Sequence, residues 1–320
     1  MATTAATTAR YSLPLQEDSV LRPNVRNRVG VGHALIDDCS FEQACEAIVA
    51  HARAGGRPSF VTTANAQHIV LLETDKRLRE IYAHADLIVP DGYSLLLAAR
   101  FSGRSLRERV TGVDMFQSLC GLAAKHGLSV FLLGGRPNAA NLAADSLKQR
   151  WPALHVTTYC PPVGFEKNEK GLADTERAIR AAKPDMLFVA LGAPKQEYWI
   201  HDHGMRLSVP VLMGVGGTFE MVAGIVRRAP MWMQRTGLEW LYRLCREPRR
   251  MWRRYLIGNL VFGAIVVRQR ARRMLVEKFL RYVRDERFAA ELREPEIIRG
   301  LKRFASREAD DAESADVLAR

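Results

Sequence analysis

From about residue 29 onward, short unbroken apolar runs alternate with longer stretches in which apolar residues recur every three or four positions. The runs are 59–63 (SFVTT), 86–89 (DLIV), 128–133 (LSVFLL), 154–159 (LHVTTY), 185–191 (DMLFVAL) and 209–215 (VPVLMGV). Between them lie 113–126 (VDMFQSLCGLAAKH), 138–150 (NAANLAADSLKQR) and 169–182 (EKGLADTERAIRAA), each with helical spacing. Runs apolar on both faces read as buried parallel strands, and their alternation with helices predicts βαβ units. The expected fold is α/β, a Rossmann-like, mostly parallel sheet with helices on both faces. The segment 29–38 (VGVGHALIDD) adds a strand or hairpin ahead of the first helix, and no internal repeat is present.

Composition makes this an ordinary globular chain: 320 residues, 48% hydrophobic and 26% charged. The formal net charge of +12 changes the picture more, because it is unevenly placed. Residues 227–307 hold 22 Lys and Arg against 8 Asp and Glu, an excess of 14, so the remainder is close to neutral at −2. Four segments are therefore expected: a disordered leader at 1–28, an α/β catalytic domain at 29–226, a basic helical appendage at 227–307, and an acidic disordered tail at 308–320. The start lacks a basic segment followed by an apolar stretch, so no secretory signal is read there. The longest apolar stretch, 255–267, is broken by Gly258 and Asn259 and falls short of the ~20 residues of a spanning helix. Five scattered cysteines without a C-x-x-C pair fit a reducing compartment. The expected location is cytoplasmic.

In open α/β sheets ligands bind outside the carboxyl ends of the strands. Those ends read Thr63-Ala64-Asn65, Pro90-Asp91-Gly92, Gly134-Gly135-Arg136, Gly192-Ala193-Pro194-Lys195-Gln196 and Gly214-Val215-Gly216-Gly217-Thr218. Glycines there let backbone amides approach phosphate oxygens. Asp91 reads either as the N-cap of the helix GYSLLLAARF or as a general base whose apolar neighbours raise its pKa. Thr63 and Asn65 read either as caps of the helix AQHIVLLE or as site residues. Gln196 offers a neutral amide that can orient a hydroxyl. His68, His201 and His203 show no metal-ligand spacing and read as ordinary.

Phe219 stands where G-x-G-x-x-G needs its last glycine, so the dinucleotide fingerprint is not met. The chain has no P-loop, H-E-x-x-H, G-x-S-x-G or D-x-D motif. Without D-x-D, a diphosphate needs another source of positive charge. Arg243, Arg250 and Arg253, spaced by seven and three, would share one side of a continuing helix, although Pro248 bends it. Guanidinium groups bind phosphate in bidentate fashion. Trp232, Trp240, Leu241, Leu244, Trp252, Tyr255 and Leu256 interleave with them, a composition that also suits an anionic membrane surface.

Nine motifs in register carry a family resemblance: TTANAQHIV, VPDGYSL, RVTGVDMF, LLGG, PPVGF, LGAPKQEYW, GVGGTFE, RRAPMWMQRTGLEWLYRL and EPRRMWRRYL. Over residues 30 to 258 the chain resembles the WecG/TagA/CpsF glycosyltransferases. The resemblance implies an inverting, metal-independent and cofactor-free transfer of a hexosyl unit from a UDP-sugar to a polyprenyl-diphosphate-linked saccharide. Such a reaction belongs to cell-surface or extracellular polysaccharide biosynthesis, at the inner face of the cytoplasmic membrane. The resemblance implies Asp91 as catalytic base with Thr63, Asn65 and Gln196. The substrate pocket would be lined by Gly92, Arg109, Thr111, Asp114, Gly134, Gly135, Gly192, Lys195, Gly214, Gly216, Gly217, Thr218 and Glu220. Arg243, Arg250 and Arg253 would hold the diphosphate or lipid, and the basic segment would dock on the membrane. No nucleic acid is expected as partner, and a homo-oligomer is left open. About 60 residues after Asn259 exceed the shorter members. On the residues alone, a nucleotide-cofactor oxidoreductase and a basic nucleic-acid-binding protein stay open as alternatives.

Overall fold

A computed structural model of the chain describes Leu21 and residues 28–284, the side chains of 250 and 280–284 excepted. The expected leader apart from Leu21 and Arg28, the last part of the basic appendage and the acidic tail lie outside the described residues. The chain opens with a hairpin, β1 (Arg28–Val31) and β2 (Ala34–Asp37), turned at Gly32 with φ +59°. Then follow α1 (Phe41–Ala54), β3 (Ser59–Ala64), α2 (Ala66–Thr74), α3 (Lys76–Ala83), β4 (Leu87–Pro90), α4 (Tyr93–Phe101) and α5 (Gly112–His126). The second half continues with β5 (Ser129–Gly134), α6 (Ala139–Arg150), β6 (His155–Tyr159), α7 (Glu169–Ala182), β7 (Met186–Ala190), α8 (Lys195–Asp202), β8 (Val211–Gly214) and α9 (Thr218–Val222). The basic segment forms α10 (Met231–Arg235), α11 (Glu239–Arg246), α12 (Pro248–Trp252), a π-helical turn (Arg253–Ile257) and α13 (Gly258–Arg284).

All six expected apolar runs are strands of one parallel sheet, ordered β4-β3-β8-β7-β5-β6. Because a strand's side chains alternate sides, each unbroken run feeds two cores. Val61, Val89, Leu132, Phe188 and Met213 point toward α1, α5 and α6, where Phe116 meets Phe188 edge-on with ring centres 4.8 Å apart. Phe60, Ile88, Leu133, Val189 and Leu212 point the other way, toward α2, α3, α4 and α8. The fully buried Asp37 ties the hairpin to edge strand β4: it accepts from the amide of Ile88 (2.7 Å) and pairs with Arg28 (2.8 Å). That carboxylate occupies a donor the edge would otherwise present unpaired.

The appendage departs from the continuing helix that the arginine spacing assumes. The backbone leaves helical geometry at Glu247 (φ −131°, ψ 60°), and Pro248 then begins a new helix at its first position, where its missing N–H is not needed. Arg243, Arg250 and Arg253 therefore belong to α11, α12 and the π turn, so a spacing of seven no longer places them on one face. The long α13 packs back on the domain. Phe262, Ile265 and Val266 are buried in the same cluster as α2, α4 and the hairpin. Gln269 donates from Nε2 to the carbonyl of Gly30 (2.9 Å) and accepts from the amide of Gly32 at Oε1 (3.0 Å). Among the described residues no helix is long and apolar enough to cross a membrane.

Candidate active site

The carboxyl ends of β4, β3, β8 and β7 lie side by side and form one rim of the sheet, the end at which open α/β sheets bind ligands. Asp91 stands at its β4 side, half-buried, with its amide on the carbonyl of Ala64 (2.8 Å). It does not cap its own helix: the N-cap of α4 is Gly92, with no side-chain bond. Asp91 Oδ1 instead accepts from the amide of Gly112, the first residue of α5, at 2.9 Å. The segment Arg109–Thr111 is drawn alongside by Val110, whose amide donates to the carbonyl of Pro90 (2.9 Å). Thr63 lies under the same turn and is not a cap. A Cβ on Gly112 would come within 3.2 Å of its Oγ1, tight enough that Thr63 would have to give way by a few tenths of an ångström.

Thr111 is the N-cap of α5, accepting from the amide of Asp114 (3.3 Å). Asp114 in turn is clamped by Arg228, which reaches Oδ1 through one guanidinium nitrogen and Oδ2 through the other, the latter at 2.8 Å, and also contacts Thr111 Oγ1 at 3.3 Å. Burial opposes ionisation of Asp114, but the bonds from Arg228 and Thr111 and the nearby charge of Arg109 overcome it and hold the carboxyl below its ordinary range. The bond to Asp114 correspondingly raises the pKa of Arg228. Three guanidinium groups surround the carboxylate of Glu239 on α11: Arg109 at 3.7 Å, Arg243 at 3.5 Å and Arg228 Nε at 4.0 Å. Arg228 Nε is buried and makes no hydrogen bond.

A second group joins the ends of β3 and β8. Asn65 caps α2 with a capping box, accepting from Gln67 (3.0 Å) while its own amide donates to His68 Nδ1 (3.2 Å). With Nδ1 accepting, the ring proton of neutral His68 sits on Nε2, which faces Glu197 Oε1 at 3.7 Å. That oxygen also accepts from Gln196 Nε2 (2.9 Å), and Gln196 Oε1 accepts from the amide of Gly216 (3.0 Å). Both ends of the Gln196 amide, expected to orient a hydroxyl, are thus engaged within the protein. Its carbonyl oxygen already holds the glycine loop, and the side chain is 4% exposed. Gly214 must lack a side chain because a Cβ there would lie 2.6 Å from Gln196 Nε2. Burial lifts the pKa of Glu197 to about 7, while burial and then the charge of Arg254 push His68 down to about 3. With His68 neutral, the contact is not an ion pair.

The remaining expected residues fall in two sets. Gly135, at φ +84°, leads into Arg136, whose amide donates to Glu220 Oε1 (3.1 Å); Oε2 of Glu220 is buried without a partner. Gly134 (φ +88°), Gly192 (φ +76°) and Gly217 shape the loops, and Thr218 turns its hydroxyl inward to the carbonyl of Val215 (2.7 Å). Lys195 and Arg253 are exposed: Lys195 reaches Glu166 at 3.4 Å, and Arg253 lies 5.2 Å over the Trp252 ring. An open groove of about 400 Å³ runs along α5 from Asp114 to Trp151, on the outer side of the helix rather than above the strand ends. Among the described residues no group of three or more His, Cys, Asp and Glu side chains is arranged to hold a metal ion. Sequence reading missed Arg228, Glu239, His68 and Glu197. All four lie within the motifs quoted above, Arg228 and Glu239 in the basic stretch 227–244, but none is marked there by its residue type or spacing.

Comparison with known proteins gives one answer. The model of the glycosyl transferase WecG/TagA/CpsF family matches residues 29–275. An N-acetylglucosaminyldiphosphoundecaprenol N-acetyl-beta-D-mannosaminyltransferase of Bacillus spizizenii is 33% identical over 213 residues, covering 67% of this chain and 80% of the relative. A protein of the same name from Bacillus subtilis is 32% identical over 196 residues, covering 61% and 74%. The family match spans both the α/β sheet and most of the basic helical segment, and the chain belongs to the WecG/TagA/CpsF family of glycosyltransferases.

Proposed function

We propose that this glycosyltransferase moves a hexosyl unit from a UDP-sugar to a saccharide carried on a polyprenyl diphosphate, with inversion and without a metal ion. The observation that carries the reading is the setting of Asp91: a half-buried carboxylate at the end of β4, held by the amide of Gly112 and with its charge felt at Arg228. In this reading Asp91 takes the proton from the acceptor hydroxyl as that oxygen attacks the anomeric carbon. The diphosphate leaves from the opposite face toward the guanidinium groups, which stabilise the developing charge. Arginines in that role replace the cation that a D-x-D motif would have bound.

The names of both relatives support the acceptor class, since each is named for transfer to N-acetylglucosaminyldiphosphoundecaprenol. A lipid-borne acceptor suits the exposed Met231, Trp232, Trp252 and Leu256, which lie among arginines in sequence, a composition that supports docking on an anionic membrane surface. The test is a donor screen with purified full-length protein and a short-chain prenyl-diphosphate N-acetylglucosamine acceptor, in the presence of a chelator. Transfer from one UDP-sugar with the chelator present supports the reading. Transfer only from another nucleotide's sugar, or only with added metal, refutes that part of it.

A further inference from the structure

We infer that Arg228 joins Arg109 and Arg243 in one anion cradle for a diphosphate, and that Glu239 of the chain's own α11 competes with that ligand for the cradle. The inference rests on the proposed UDP-sugar reading for the identity of the ligand, but its geometry stands by itself.

Three guanidinium groups from three places in the chain converge on the single carboxylate of Glu239, at 3.5 to 4.0 Å. Arg109 comes from the loop beside β4, Arg228 from the segment after α9, and Arg243 from α11. None of these contacts is a short bidentate pair, although bidentate pairing is what guanidinium and carboxylate groups form when free to choose. Arg228 shows the contrast within one side chain. Its terminal nitrogens clamp Asp114, while its buried Nε faces Glu239 at 4.0 Å with no hydrogen bond. A carboxylate has two oxygens on one plane and one charge to share among three cations. A diphosphate has oxygens on two tetrahedra and two or three charges, so it can satisfy all three donors together.

The location fits a leaving group. Arg228 also touches Thr111, the cap of α5, and Asp91 accepts from the next residue, Gly112. The charge of Asp91 is felt at Arg228. The cradle and the proposed base therefore share one helix start. Because Glu239 and Arg243 are on α11, a diphosphate that takes over Arg109 and Arg228 releases one attachment of the appendage while it gains Arg243 as a partner. Donor binding and the seating of α11 are coupled through a single carboxylate.

The experiment is calorimetric titration of the full chain and of Glu239→Gln and Arg228→Lys with inorganic pyrophosphate, UDP and uridine. Loss of a competitor tightens binding, whereas loss of a purely structural contact loosens it, so the sign is diagnostic. Glu239→Gln is expected to tighten pyrophosphate by a factor of roughly 5–150, the usual span of such coupling. Arg228→Lys should weaken it, and uridine should respond to neither change. Glu277→Gln, which removes a like charge on α13, should leave pyrophosphate unaffected. Unchanged or weaker pyrophosphate binding in a folded Glu239→Gln protein overturns the cradle, as does equal tightening by Glu277→Gln. Pyrophosphate bound and tightened while UDP fails to bind upholds the cradle and refutes the UDP reading instead.

Discussion

The Asp91 carboxylate and the amide of Gly112 are joined at 2.9 Å across 21 residues of sequence. One oxygen is thereby fixed on the start of α5, leaving the other as the proton acceptor. An asparagine can keep the Gly112 bond through its own Oδ1 while losing basicity. Asp91→Asn should therefore reduce turnover by a factor on the order of 10²–10⁴ with UDP affinity nearly unchanged. Steady-state kinetics alongside titration calorimetry check this, and near-normal turnover would remove Asp91 from the role.

Arg228 and Asp114, 114 residues apart, pin the segment leading into the appendage onto α5. Arg228→Met leaves Asp114 without its clamp, and a loss of about 1–3 kcal/mol is expected for an abandoned, partly buried charge-assisted bond. Asp114→Asn should cost less, and the double variant little more than Arg228→Met alone. Urea melts of the four proteins measure the coupling, and strict additivity would show that the pair does not act as a unit.

Glu197 gives a pH dependence whose sign is fixed. Its folded pKa of about 7 lies above the ordinary 4.5, so between those values the folded chain holds a proton that the unfolded chain has released. Stability from this group is full below pH 4.5 and declines as pH rises to about 7, by roughly 3 kcal/mol in all. His68 acts oppositely: with a folded pKa of about 3 against 6.5, its contribution falls as pH drops from 6.5. Glu197→Gln keeps the acceptor for Gln196 and removes only the first effect. Its stability relative to the parent protein should climb between pH 4.5 and 7 and stay level on either side. A pH-independent difference in denaturant midpoints would contradict this.

Gln269 binds both Gly30 and Gly32 of the hairpin from α13. Gln269→Leu leaves two backbone groups without partners at a part-buried position, for an expected loss of about 1–3 kcal/mol. Hydrogen exchange at Gly32 should quicken in parallel. If stability is unchanged, water replaces the side chain and α13 is held by Phe262, Ile265 and Val266 alone.

The sheet was legible because buried parallel strands must be apolar on both faces, and six such runs stand out without any partner being known. The helices flanking them were legible to within a residue or so: 113–126 against Gly112–His126, and 169–182 against Glu169–Ala182. Asp91 could be placed at a strand end from sequence, but not its role on α5, since the bonded helix begins after an irregular loop. The appendage was misjudged where spacing was converted to a face, because that step assumes unbroken helical winding through Pro248. Glu197 was invisible for another reason. Glutamate is rarely fully buried, and nothing in KQEY signals that α8 turns this one inward against His68.

The π-helical turn at Arg253–Ile257 joins the two halves of the basic segment. Such a turn accommodates one residue more than an α-helix does over the same rise, and α-helical residues step by about 100° around the axis. Deleting a single residue there would restore uniform α-helical winding and leave Trp252 close to its present direction relative to Phe262, Ile265 and Val266, whereas the same deletion within α13 would turn everything before it by about 100°. The direction of Trp252 relative to the buried grip of α13 is thus buffered against the loss of one residue from these five, and not from α13.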